Sequence, residues 1–301
     1  MISVLIPIFN YNVTGLVTSI NSQLLLLNID FEIICIDDAS TNYFLENDKI
    51  LEINNINLIK LSNNIGRSKI RNLLVKNATY EWLLFLDSDV FPRNDIFCAK
   101  YIKSARSNSV KVYCGGIAYS KEKPKDDKML RWVYGKNREE ISLEIRRKNQ
   151  YQYFFGANFL INKSVFNTCK FNEGIVKYGY EDTLFVEDLR QNSIELQNID
   201  NAVYHNGIED NSVFLAKTKQ AIENLYDLSS QGFFKNNRIK ILNFYRKISA
   251  VKLTWIFCVG YFMFHKLFEY NLKSKWPSML IFDLYKLLYL SYLDVSKNSS
   301  Q

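Results

Sequence analysis

The chain has 301 residues, 48% of them hydrophobic and 23% charged, with only four Pro and eleven Gly. That balance excludes fibrous and disordered classes and leaves little material for linkers. The formal charge of +7 sits in the last quarter: Gln231 to Gln301 holds 11 Lys/Arg against 3 Asp/Glu, and the other 230 residues hold 27 against 28.

The N-terminal run MISVLIPIFNYN has no positive leader and no small-residue cleavage site, so it reads as a first strand. Ile2 to Ile8, Phe31 to Ile36, Asn57 to Leu61 and Trp82 to Leu86 are near-continuous apolar segments of strand length, as expected for strands covered on both faces. Thr14 to Leu27 and Gly66 to Asn77 lie between them with apolar residues at helical spacing. Alternation of this kind predicts an α/β fold built from βαβ units, with ligands just beyond the carboxyl ends of a mainly parallel sheet. Five dispersed cysteines without a CxxC pair fit a reducing, cytoplasmic compartment with neither a disulfide framework nor structural zinc.

Three of these strands run out into polar or acidic residues: Phe9-Asn10, Asp37-Asp38-Ala39-Ser40 and Asp87-Ser88-Asp89. Each alone is an ordinary turn. Carboxylates at two ends of one sheet point instead to a metal or nucleotide site. Asp87 and Asp89, two apart in extended chain, converge on one side and need a cation or a ligand's positive group between them. An all-oxygen pair suits Mg²⁺ or Mn²⁺. Neither GxGxxG nor GxxxxGK[ST] is present, so dinucleotide and P-loop readings lack their phosphate cradle. Arg67 and Arg71, on the helix opening at Gly66, are candidates for base or phosphate, whereas Lys69 reads as solvated.

Further on, Phe171-Asn172-Glu173-Gly174 precedes Tyr178-Gly179-Tyr180-Glu181-Asp182. Glu181 and Asp182 read equally as first-turn acids of a helix or as an aromatic-walled general base. His205, one of two histidines, follows a strand-like run and is a candidate third metal ligand. In the tail, Arg238 to Lys252 reads as a basic, aromatic helix and Leu284 to Leu293 as an apolar, Tyr-rich one after Pro277, and the uncharged run Leu253 to His265 falls short of the ~20 residues of a spanning helix. Two readings stand there: helices lying in the interface of an anionic membrane, or a helical cap on the catalytic body.

Together these segments resemble an inverting glycosyltransferase of family 2 with the GT-A nucleotide-sugar fold. ISVLIPIFN, IDDAST, NNIGRSKIRNLLVKNATYEWLLFLDSD, FFGANFLINK and GYEDTLF with a later His follow in order from Ile2 to Gly207. FNEG with GYED also resembles the acceptor side of galactosyltransferases. Two features depart from those patterns: IFN stands where family 2 often has Thr-Tyr-Asn or Ser-Tyr-Asn, and YGYED stands where galactosyltransferases carry a Trp.

The resemblance implies a catalytic domain over 1–230 and a basic helical extension over 231–301. Pro7, Phe9, Asn10, Asp37, Asp38 and Asn64 would line the nucleotide pocket, with Arg71 near the uracil. Asp87, Ser88 and Asp89 would meet the diphosphate, and Asp87, Asp89 and His205 would hold Mn²⁺ or Mg²⁺. Gly115, Gly116, Gly156, Ala157 and Asn158 would lie against the donor sugar. Asp182 would be the catalytic base with Glu181 beside it.

The implied reaction moves a hexose from a UDP-sugar to a saccharide or lipid-linked acceptor, in bacterial surface polysaccharide or lipopolysaccharide synthesis at the inner face of the plasma membrane. A nucleotidyltransferase acting on sugar phosphates would share the carboxylate-metal core, but IFNYNVTG supplies no Gly-rich basic loop. Nucleic-acid binding by the tail is disfavoured because bulky aliphatics interleave its charges.

Overall fold

The expected strands all form, and their order sets the site. A computed structural model describes residues 1–107, 109–234 and 239–298. Its strands are β1 (Ile2–Ile8), β2 (Phe31–Asp37), β3 (Ile56–Lys60), β4 (Trp82–Leu86), β5 (Val90–Pro92), β6 (Val112–Cys114), β7 (Ile117–Ala118), β8 (Asn158–Asn162), β9 (Leu196–Asn198) and β10 (Val203–His205). The helices are α1 (Thr14–Leu25), α2 (Phe44–Asp48), α3 (Arg67–Asn77), α4 (Phe97–Ser107), α5 (Met129–Arg138), α6 (Leu143–Lys148), α7 (Glu181–Gln191), α8 (Asn211–Ser230), α9 (Lys240–Ala250), α10 (Thr254–Leu272) and α11 (Met279–Asn298).

Seven strands form one sheet in the order β3-β2-β1-β4-β8-β6-β9. Pairing is parallel from β3 through β4, β8 runs antiparallel to both neighbours, and β9 returns parallel to β6. The loops leaving β2, β1 and β4 are therefore adjacent at one sheet edge. Val4, Leu5, Ile6, Ile34, Leu83 and Leu84 are fully enclosed, each such side chain contributing about 1.5–3 kcal/mol. A second sheet orders β5-β10-β7, with β10 antiparallel to β5 and pairing His205 with Val90.

The chain divides into two compact units, one of Met1–Ser120, Lys136–Val176 and Glu181–Gly207, the other of Lys121–Gly135, Lys177–Tyr180 and Ile208–Gln301. This differs from a boundary at 230. Helix α8 belongs with the C-terminal helices because Leu215 and Ile222 share a core with Phe282, Tyr285 and Leu288. Asn211 ties 121–135 to the same unit, accepting from Leu130 N (2.7 Å) and donating to the Asp126 and Lys273 carbonyls. The Leu284 to Leu293 segment lies inside α11 and packs as core, with Leu287, Leu288, Leu290 and Leu293 buried. Arg238, expected to open the helix that forms as α9, lies outside the described residues.

Buried amides join the apolar core in fixing the sheet's far side in the first unit. Asn158, fully enclosed at the start of β8, accepts from the Tyr101 hydroxyl (2.7 Å) and donates to the Gly116 and Asn201 carbonyls, both at 2.9 Å. Truncating it strands those partners without water. Asn158→Ala is expected to lower unfolding free energy by about 2–4 kcal/mol in urea denaturation.

Candidate functional site

The site is assembled by chain that the sheet edge holds in place. Asn10, in the left-handed region with φ 51°, accepts from Thr41 N (2.8 Å) and Asn42 N (3.1 Å), and its own N–H donates to Ser40 Oγ. The loops after β1 and β2 are thereby laced together. Asp37 is turned inward to accept from Ser40 N, while Asp38 accepts from Ile65 N (2.6 Å) and Gly66 N (3.0 Å). These two buried carboxylates thus organise backbone, and Asp38 anchors the start of α3. Asn64, exposed, donates to the Asp38 carbonyl. Pro7 is half-buried, and Phe9, 52% exposed, presents an open ring beside them.

Anchored this way, α3 directs Arg67 and Arg71, one turn apart, at the end of β4. Arg71 is only 1% exposed and donates from Nη2 to Asp87 Oδ1 and from Nη1 to Asp182 Oδ1, both at 2.9 Å. Arg67 reaches Asp87 Oδ2 at 3.1 Å and Glu181 Oε1 at 3.0 Å. The Phe171 ring backs the Arg71 guanidinium at 5.2 Å. Asn72 fixes that loop, donating to the Phe171 carbonyl and Glu173 and accepting from Phe171 N. Arg71 was expected beside the nucleotide base. Here it is the buried cation joining the acids of β4 and α7.

Burial would raise the Asp87 pKa, but Arg71 and Arg67 outweigh it and hold that carboxyl below its ordinary range. Asp182 goes the other way. Burial lifts it, the neighbouring Glu181 charge adds to the lift, and Arg71 only partly opposes them. One guanidinium therefore binds an acid kept ionised and an acid whose charge is disfavoured, the asymmetry expected where one acid carries charge and another moves a proton.

Asp182 is placed through glycine. Gly156 N donates to its Oδ2 at 3.2 Å, and a Cβ on Gly156 would stand 2.4 Å from its Oδ1. Gly156→Ala is expected to leave the melting temperature nearly unchanged while lowering turnover ~10–100-fold through misplacement of this carboxylate. Ala157, buried beside it, accepts from Asp87 N.

Ser88 lies half-buried between the two acids of its motif. Asp89 does not share the arginines. The β5–β10 ladder carries His205 to it, with Nε2 3.5 Å from Oδ2, and Asn206 N donates to its carbonyl. Gly207 passes so close that a Cβ there would lie 2.2 Å from Asp89 Oδ2. Tyr119 stacks on the His205 ring at 5.5 Å. Among the described residues no three His, Cys, Asp or Glu side chains converge to hold an ion. Asp89 offers the carboxylate oxygen that Mn²⁺ and Mg²⁺ both take, and the His205 nitrogen suits the softer Mn²⁺ better than Mg²⁺, so the pair fits a divalent ion as a half-site to be completed by phosphate oxygens. Asp87 is turned away to its arginines.

The structure thus brings Asp87, Asp182, Glu181 and Arg71 into one cluster, with Asp89 and His205 reached through the same 87–89 turn. It places Gly115, Gly116 and Asn158 differently. A Cβ on Gly115 would meet Asn201 O at 2.2 Å, and one on Gly116 (φ +90°) would meet the Arg146 guanidinium at 2.8 Å. These glycines admit the protein's own amides and arginine, with Asn158 enclosed among them. Gly207 and Tyr119 were not among the expected site residues. A glycine two residues after His205 was the one available signal.

Comparison with known proteins places this architecture. Residues 3–169 match the family model "Glycosyl transferase family 2", and the chain belongs to that family. Its fold is GT-A. Staphylococcus aureus TarS 1–349 aligns over all of this chain and 92% of that one at TM-score 0.53 and 20% identity. The mannosyltransferase PcManGT from Pyrobaculum calidifontis, in complex with GDP-Man and Mn²⁺, aligns over all of this chain and 87% of that one at TM-score 0.59 and 11% identity. A protein of Rickettsia felis named an uncharacterized glycosyltransferase is 35% identical over 88 residues, which is 29% of this chain and 14% of that relative. The aligned segment is therefore a small part of that curated relative's length.

Proposed function

We propose that this chain is an inverting glycosyltransferase that moves a hexose from a nucleoside-diphosphate sugar, UDP-linked, to a saccharide acceptor, free or lipid-linked, in surface polysaccharide or lipopolysaccharide assembly. The carrying observation is the single buried guanidinium that binds both Asp87 and Asp182 at 2.9 Å. It sets the acid of a strand-end DxD motif beside an acid with a raised pKa.

Asp182 accepts the proton of the acceptor hydroxyl as that oxygen bonds to the anomeric carbon. The bond from that carbon to the diphosphate oxygen breaks on the opposite face, its electron pair leaves with the nucleoside diphosphate, and the configuration inverts. Arg71 keeps Asp182 oriented, and Phe9 offers its open ring to the base. Asp89 and His205 would hold a divalent cation, which when bound supplies charge neutralisation for a diphosphate.

The test is hydrolysis and transfer across a panel of nucleotide sugars, with Mn²⁺, with Mg²⁺ and with EDTA. One donor is expected to be consumed, EDTA to abolish turnover, and proton NMR to show the product anomer opposite to the donor's. Retention of configuration would sink the mechanism. Pyrophosphate release from a nucleoside triphosphate and a sugar phosphate would replace it with nucleotidyl transfer.

A further inference from the structure

Helix α10 is apolar on two opposite faces, and its own unit covers only one of them. Cys258, Tyr261 and Leu272 face inward, with the Tyr261 ring against Tyr285 and Tyr289 of α11. The other face carries Ile256, Val259, Met263, Leu267 and Tyr270 at helical spacing, flanked by Trp255 and Phe262, all of them exposed. Met263 is 67% exposed, Leu267 63% and Tyr270 79%, and Trp276 and Leu280 just beyond the helix are as open. Folded proteins rarely leave so continuous an apolar surface to water unless it meets something.

The charges around this face select the occupant. Lys252 precedes the helix, Lys266 lies on the flank of the stripe, Lys273 and Lys275 follow it, and all four are exposed. The one acid of α10, Glu269, is turned to Lys219 and the Tyr285 hydroxyl and also pairs with Lys273 at 3.4 Å, which leaves Lys252, Lys266 and Lys275 as the lysines offered outward. An apolar stripe with exposed lysines on its flank and at both ends, and with tryptophans at both ends, complements an anionic lipid surface: acyl boundary for the stripe, headgroups for lysines that extend outward, and the interfacial layer for indoles. No single described helix is long and apolar enough to cross a membrane, and the α9–α10 pair that qualifies by composition is bent by 118°. The geometry points to α10 lying in the plane of an anionic bilayer surface, held by this face and its lysines.

This inference is independent of the catalytic reading, and donor hydrolysis monitors that reading separately. The full chain is floated with vesicles of phosphatidylcholine alone and with vesicles of equal parts phosphatidylcholine and phosphatidylglycerol. Binding is expected to be about tenfold or more tighter to the anionic vesicles and to weaken in high salt. A triple variant, Met263→Ser with Leu267→Ser and Tyr270→Ser, is expected to lose that binding while keeping its melting temperature and its donor hydrolysis. In the wild-type chain, brominated lipid is expected to quench Trp255 and Trp276, with Trp255→Phe removing part of the effect, so the result does not depend on the triple variant folding. Absence of vesicle binding, binding unchanged by the triple variant, or a wild-type dimer in light scattering that the variant dissociates would each overturn the proposal; the last would assign the face to a second copy.

Discussion

Asp182→Asn is expected to lower sugar transfer by about 10²–10⁴-fold while leaving nucleotide-sugar affinity within a factor of a few. The carboxamide keeps an oxygen for Arg71 and nearly the same volume, so it removes proton acceptance and little else. Stability supports this choice of substitution. The folded-state pKa of Asp182 is raised chiefly by burial, so ionisation of this group costs stability above its unfolded pKa. A neutral isostere therefore loses no charge-based stabilisation at neutral pH. The same shift predicts a pH dependence for the proposed base: if Asp182 takes the proton it must be deprotonated, so turnover is expected to fall as pH drops through its folded pKa, with an acid limb above the ordinary carboxyl value of 3.8. Single-turnover rates from acid to neutral pH, with isothermal titration of UDP-sugar, check both halves. Transfer within threefold of wild type, or a variant with an unchanged acid limb, would assign the base elsewhere.

That carboxylate was legible in the sequence as a residue and illegible as a place. The strands could be read because β1, β2 and β4 are unbroken apolar runs, and a strand buried on both faces has no other way to look. Two of the residues that gather the site leave a much fainter trace. Strand β10 is three residues long, and only its antiparallel register with β5 brings His205 to Asp89. Arg71 sits on a helix with other basic residues, and local sequence does not distinguish a guanidinium aimed at solvent from one buried between two acids. Asn158 is expected against the donor sugar and Asn198 carries no signal in the sequence, yet both are fully buried and hydrogen-bonded within the protein. In the tail the helical pattern was clear, but α10 and α11 are both apolar, and which faces are covered depends on tertiary partners that periodicity cannot name.

Replacing Arg71 is expected to have the larger effect on the folded state. Its guanidinium lies among Asp87, Asp182 and Glu181, whereas the exposed Arg67 meets Asp87 and Glu181 from the other side. Arg71→Gln leaves Asp182 without its buried cation and Asp87 with Arg67 only; breaking a fully buried pair costs about 3–5 kcal/mol, and the part-buried acids here set that as the upper end. Arg71→Lys restores the charge but not the fork that holds two acids at once, so it is expected to recover part of the stability and little of the transfer.

The pH dependence separates this electrostatic loss from a simple packing defect. The folded pKa of Asp87 is held below 3.8 by Arg71 and Arg67 against burial. The wild-type chain therefore has that stabilisation in full above the unfolded pKa and loses it as pH falls through the lower folded value. The glutamine variant has less of it to lose. Urea unfolding of the two chains is expected to differ most at pH 7 and to converge below about pH 4 as the acids protonate. A gap that stays constant from neutral to acid pH would show that the side chain is needed for packing against Phe171 alone, and the coupling between the β4 and α7 acids would then have to be sought in Arg67.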